Sequence, residues 1–140
     1  MKNLRAVLFA LTVLLLATAA QAQTTNVNAS IPFDFVVGDH VYSAGEYSVR
    51  SMTQDGVAIR VDNADESEKG VTLSHACQKA QPAAQTILVF ERLGDNYFLH
   101  QIWTEGNSSG REFPMSKTQV QLAKNYSEPE LVIVAANISH

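Results

Sequence analysis

His75-Ala76-Cys77 is the most chemically loaded stretch of the chain. Alternation along an extended strand would put its imidazole and thiol on one face. With His40 or His100 as a third ligand, the pair would suit zinc or copper, which take imidazole nitrogen and thiolate sulfur. The spacing matches no established metal motif, and a part-buried strand face carrying an incidental His and Cys is the simpler account. His75, Cys77 and His100 are therefore the candidate metal residues. Cys77 is the single cysteine, so no disulfide forms within the chain and a four-cysteine zinc site is excluded. It is either a small buried hydrophobe or a thiol that pairs or reacts outside the chain. No basic residue adjoins it directly to stabilise a thiolate.

Other chemistries are weaker. Asp, Ser and His are all present, but no G-x-S-x-G elbow is; Gly106-Asn107-Ser108-Ser109-Gly110 resembles one only superficially and opens no helix. His100, between Phe98 and Ile102, reads as a histidine at the core edge. Asp62, Asp65, Glu66 and Glu68 crowd one loop, yet D-N-A-D-E-S-E lacks the mid-loop glycine and terminal spacing of a calcium loop, so a solvated acidic turn is expected. Asn28, Asn107, Asn125 and Asn137 each head an N-x-S triplet and read as polar turn and strand residues. Tyr97, Trp103 and Phe113 are the candidate interaction residues: left uncovered they would offer a patch to a protein or a sugar. The competing reading makes Trp103 the anchor of the core.

The elements that must position these residues are strands. Val27, Ala29, Ile31, Phe33, Phe35 and Val37 alternate with mostly polar residues, predicting one long half-buried strand. Pro32 donates no hydrogen bond and puts that strand at an edge or a bulge. Residues 46–52 alternate again, Asp55-Gly56 signals a hairpin, and Val57, Ile59 and Val61 face the core. Val71, Leu73, His75 and Cys77 share one strand face. Residues 86–92 and 97–104 form a hairpin apolar on both faces, which something must cover. Tyr97, Leu99 and Trp103 fall on one of those faces, Phe98 and Ile102 on the other. Residues 116–125, capped by Ser116 behind Pro114, form the one short helix, and 131–136 the last strand. About seven or eight short strands predict a mainly β chain, a single antiparallel β-sandwich or small barrel. Too few helices are present to cross over a parallel sheet.

Residues 1–22 read as a cleaved signal peptide: Lys2 and Arg5, an apolar run from Ala6 to Ala17, and Ala20-Gln21-Ala22 as the cleavage site. The run is shorter than the roughly 20 residues of a spanning helix, and the following residues 23–140 form one β-rich domain with no further span. The whole chain has 140 residues, 46% of them hydrophobic, which is the balance of a globular domain. A net charge of −4 with no basic cluster argues against nucleic acid as a partner.

At Ile31-Pro32-Phe33-Asp34-Phe35-Val36-Val37-Gly38 and Ala44-Gly45-Glu46-Tyr47-Ser48-Val49, the chain resembles a family of small exported bacterial proteins of unknown function, of the acidobacterial type. Its members are similar in a later aromatic hairpin, here Tyr97-Phe98-Leu99-His100-Gln101-Ile102-Trp103, and in a G-x-E-[LF]-P turn, here Gly110-Arg111-Glu112-Phe113-Pro114. The resemblance implies export and a β-rich fold, and carries over no site residue.

The expectation is an exported, periplasmic or extracellular, non-catalytic binding or structural module of the cell envelope. Its partner would be a protein or a carbohydrate, and no cofactor is implied. A metal-handling protein built on His75, Cys77 and a third ligand is the alternative, and a hydrolase a more distant one. An outer-membrane barrel fits poorly, because its strands need about 9–11 residues.

Overall fold

The computed structural model describes residues 24–139. The expected signal peptide and its cleavage site lie outside them. Among the described residues, eleven strands belong to one sheet that is nearly closed into a barrel, so the fold there is mainly β with one short helix. The strands are β1 (Asn26–Ile31), β2 (Phe35–Val37), β3 (His40–Tyr42), β4 (Gly45–Ser51), β5 (Ala58–Asn63), β6 (Lys69–Leu73), β7 (His75–Gln78), β8 (Ile87–Leu93), β9 (Asn96–Trp103), β10 (Ser109–Glu112) and β11 (Glu130–Ile138). Helix α1 (Lys117–Ala123) starts where the sequence predicts, with the Ser116 side chain accepting from the Gln119 N–H.

The strands bond in the order β3-β2-β9-β8-β11-β1-β4-β5-β6. All neighbours are antiparallel except β2 and β9, which meet in parallel at Val36 and Phe98. β10 joins β9 to β7, and Ser74 alone separates β7 from β6. A second route therefore runs round the barrel: β9, β10, β7, across Ser74 into β6, then β5.

The long N-terminal strand of the sequence reading is two strands. Pro32 offers no N–H, so the ladder stops there, and the Asp34 carboxylate accepts from the Ala44 N–H at 2.8 Å to hold the bend. The expected edge position is also corrected: β1 is flanked by β4 and β11, and β2 carries the edge hairpin instead. A second break, at Ser74, raises the strand count in the same way.

The interior collects Val27, Ile31, Phe35, Tyr42, Tyr47, Val49, Ile59, Val61, Leu88, Phe90, Leu99 and Ile102, all nearly without solvent contact. Val57, expected in the core, is 39% exposed at the mouth of the hairpin. A smaller cluster of Ala83, Val89 and Trp103 lies apart from that core, with Cys77 and Ile87 packed against it. It covers part of the second apolar face of β8 and β9, and α1 covers more, through the bond from Gln119 to Glu91. The matching face of β11 stays open: Leu131 and Ile133 are largely exposed.

Ser74 is buried, and every polar group it carries is bonded. Its N–H donates to the Val57 carbonyl at 2.7 Å. Its hydroxyl lies 3.0 Å from the Gly56 carbonyl and accepts from Arg111 Nε at 3.0 Å. Its carbonyl accepts from Arg111 Nη2 at 2.8 Å. Hydrogen bonds from a charged donor contribute about 1.5–3 kcal/mol, and leaving the buried acceptors unpaired adds a penalty. Arg111→Met, which keeps the stem and removes the guanidinium, should lower the unfolding free energy by about 2 kcal/mol. Urea unfolding checks this; an unchanged midpoint would show that the joint closes without the arginine.

Candidate functional site

The titratable groups gather where β7, β10, β9 and β8 lie side by side. His75 Nε2 is 3.0 Å from Glu112 Oε2, and the other Glu112 oxygen is 3.4 Å from His100 Nε2. His100 Nε2 is 3.6 Å from Glu91 Oε1, and Glu91 Oε2 accepts from Gln119 Nε2 at 2.8 Å. A row of His75, Glu112, His100, Glu91 and Gln119 thus runs across four strands onto the helix. Gln101 runs beside it, donating to Glu112 and accepting from the Trp103 indole N–H at 3.0 Å.

A bulge makes this row possible. Val89 pairs with Gln101 but Phe90 pairs with Leu99, so His100 has no partner on β8 and the alternation of β9 shifts by one. The sequence reading set His100 beside Phe98 and Ile102, and Trp103 beside Tyr97 and Leu99. Beyond the bulge those sets part. Ile102 joins Leu99 in the interior, and Trp103 joins the separate cluster with Ala83.

The structure thus brings His75 and His100 together through Glu112, and leaves Cys77 elsewhere. Cys77 is half-buried against the Trp103 cluster, and burial, followed by the Glu112 charge, pushes its thiol up from the ordinary value. It is held as a thiol. Among the described residues, no group of three or more His, Cys, Asp or Glu side chains is placed to hold a metal ion. The bonds and ion pairs of His75 and His100 run to carboxylates, an arrangement that orients the imidazoles.

The candidate interaction residues are covered. Trp103 and Phe113 are buried, and Tyr97 is half-buried with its ring stacked 3.8 Å from Phe33. Lys79 Nζ lies 4.2 Å over the Trp103 ring. The apolar residues that do meet solvent include Val41, Val71 and Leu73, with exposures of 65%, 63% and 63%; the last two fall on the strand face that the sequence assigns with His75 and Cys77. Val71 and Leu73 line a groove of about 590 Å³ between β3 and β6, together with Tyr42, Gly70 and Pro114, and Val41 lies on β3 between two of its lining residues, His40 and Tyr42. A second groove, about 450 Å³, crosses β11, β1 and β4 and is lined by Asn28, Ser30, Glu46, Ser48 and Asn137. Next to it, the Tyr47 hydroxyl lies 2.5 Å from Glu68 Oε2, and this contact leads the effects that hold the Glu68 carboxyl below its ordinary value. Burial, then that bond, raises Tyr47 in turn.

No protein-family model, curated protein or solved structure matches the chain.

Two predictions test this description. A Cβ on Gly110 would stand 2.6 Å from the Ile102 carbonyl oxygen and 2.7 Å from the Trp103 ring. Gly110→Ala should therefore lift the indole, red-shift its fluorescence and destabilise the fold by about 1–3 kcal/mol; an unshifted spectrum would place Trp103 elsewhere. The second concerns alkaline pH. Burial, with the Glu68 and Asp62 charges, pushes Tyr42 up to about 12, whereas in the unfolded chain it ionises near 10. The stability this confers is complete below about pH 10 and is lost as pH rises through about 12. Urea midpoints should fall across that window, and Tyr42→Phe should flatten the fall; an equal slope in the variant would contradict the burial account.

Proposed function

We propose that the chain is an exported, non-catalytic β-module of the bacterial cell envelope, periplasmic or extracellular, that works by holding a partner against its outside. The observation that carries this reading is the distribution of apolar surface. The interior is filled by the chain's own aromatic side chains, while Val41, Val71, Leu73, Leu131 and Ile133 stay mostly exposed. Exposed apolar residues cost solubility and are understandable where another molecule covers them. The non-catalytic part rests on the sequence, which carries no nucleophile elbow, no metal-ligand spacing and no phosphate loop. Export rests on the leader pattern of residues 1–22 and on the resemblance of the I-P-F-x-F-x-V-G and A-G-x-Y-x-V segments.

Native mass spectrometry of the protein purified from its own host tests both halves. The expected result is a chain beginning at Gln23 that carries a non-covalent polypeptide or sugar companion. A cell-retained chain that keeps residues 1–22 would overturn export. A bare monomer whose only added mass is a metal would overturn the binding reading in favour of metal handling.

A further inference from the structure

The nearly closed barrel has a seam, and its chemistry is that of a missing strand. β3 and β6 are the two ends of the bonded order; among the described residues each is paired along one edge only, and no backbone bond joins them. The gap is spanned from inside by Tyr42, whose hydroxyl lies against the α-carbon of Gly70, where a side chain would collide with it. A gap bridged by a whole tyrosine side chain is wider than the 4.7–4.9 Å of a ladder. The outer edges of β3 and β6 thus have no ladder partner among the described residues, and both strands line the same groove of about 590 Å³.

We propose that this seam takes an extended segment of a partner polypeptide, added as a strand between or along β3 and β6. This deepens the reading of the chain as a binding module and rests on it. Alternating donors and acceptors at strand spacing are matched by another extended backbone and by little else. Val41, Val71 and Leu73 flank the edges and would contact alternate side chains of the added strand, favouring a segment with apolar residues at every second position. Edge strands are ordinarily blunted by charge, proline or a bulge. Here β6 carries only Lys69 as a charge, and Val71 and Leu73 stand bare beyond it. A second copy of the chain is a poorer occupant, because pairing β6 with β6, or β3 with β3, would satisfy one edge and leave the other open, whereas one inserted segment satisfies both.

The test is selection of a random heptapeptide library displayed on phage against the whole protein, followed by hydrogen exchange with the enriched peptides. The expected peptides alternate apolar residues, slow the exchange of residues 40–42 and 69–73, and lose binding when alternate amides are N-methylated. Val71→Lys and Leu73→Lys, both at exposed positions and checked for unchanged melting, should each weaken binding about tenfold or more. Peptides that protect other residues, or that ignore both lysine variants, would overturn the seam while leaving the binding module standing. So would failure of any sequence to enrich, with the native companion mass still present. Protection of 69–73 that grows with protein concentration alone, with elution as a dimer, would overturn it in favour of self-pairing.

Discussion

The barrel depends on one residue being held from two sides. At Ser74 the chain leaves the ladder on β5 and enters the ladder on β10, so both halves of the circuit pass through a single peptide. A buried residue between ladders ordinarily leaves polar groups unpaired, at a cost of about 1–3 kcal/mol each. Arg111 removes that cost by donating to both the carbonyl and the hydroxyl, while the Ser74 N–H and hydroxyl reach back to the hairpin at Val57 and Gly56. The guanidinium is suited to this because its donors lie in a fixed fork. Because Arg111 sits on β10 and contacts the β4–β5 hairpin as well, the joint binds a remote strand to a local turn and encloses Ile59 and Val61 behind it.

The bulge at His100 is the second organising feature, and it depends on the first. β10 pairs with β9 at Gln101 and Ile102, just beyond the bulge, and brings Glu112 to His100. One unpaired residue thus serves two purposes. It reverses which side chains of β9 enter the core, and it supplies the imidazole at the centre of the His75–Glu112–His100–Glu91 row. Five elements, α1 included, are linked by that row. Its two central contacts, from His100 to Glu112 and to Glu91, lie at 3.4 and 3.6 Å, so the row contributes less to stability than the core beneath it.

Periodicity revealed most of the strands, both long hairpins and the helix, because alternation and caps are local properties. Ser116 three residues ahead of Gln119 is an N-terminal signal that needs no tertiary context. What stayed hidden was set by partners far along the chain. Nothing local to His100 announces a bulge; it arises because Phe90 and Ile102 must both enter a core whose other walls are β1, β4 and β5. Whether Tyr97, Trp103 and Phe113 would be left uncovered as a patch, or Trp103 would anchor the core, stayed open for the same reason. Their type and spacing say that they are buried or bind something, and only the loop at Ala83 and the turn at Phe113 decide which. Val71 and Leu73 share a face with His75 and Cys77 as their spacing requires, but the spacing does not say that the face looks outward.

The β2–β3 hairpin explains how an open seam coexists with a filled interior. It touches β9 through a single parallel pair, too little ladder to anchor six strand residues. Aromatic packing holds it instead. Phe35 lies 5.2 Å from Tyr42, 5.0 Å from Tyr47 and 5.6 Å from Phe90, pairs worth about 0.5–1.5 kcal/mol each beyond the area they bury. A hairpin fixed from its inner face, and tied to Glu68 through Ser43 at its end, has no need of a ladder along its outer edge. The constraint that would ordinarily drive β3 to pair with β6 is thereby relaxed. Tyr42 rests against Gly70, and just beyond β3 the Ser43 N–H and hydroxyl bond the Glu68 carboxylate ahead of β6, so side chains rather than a ladder span the seam.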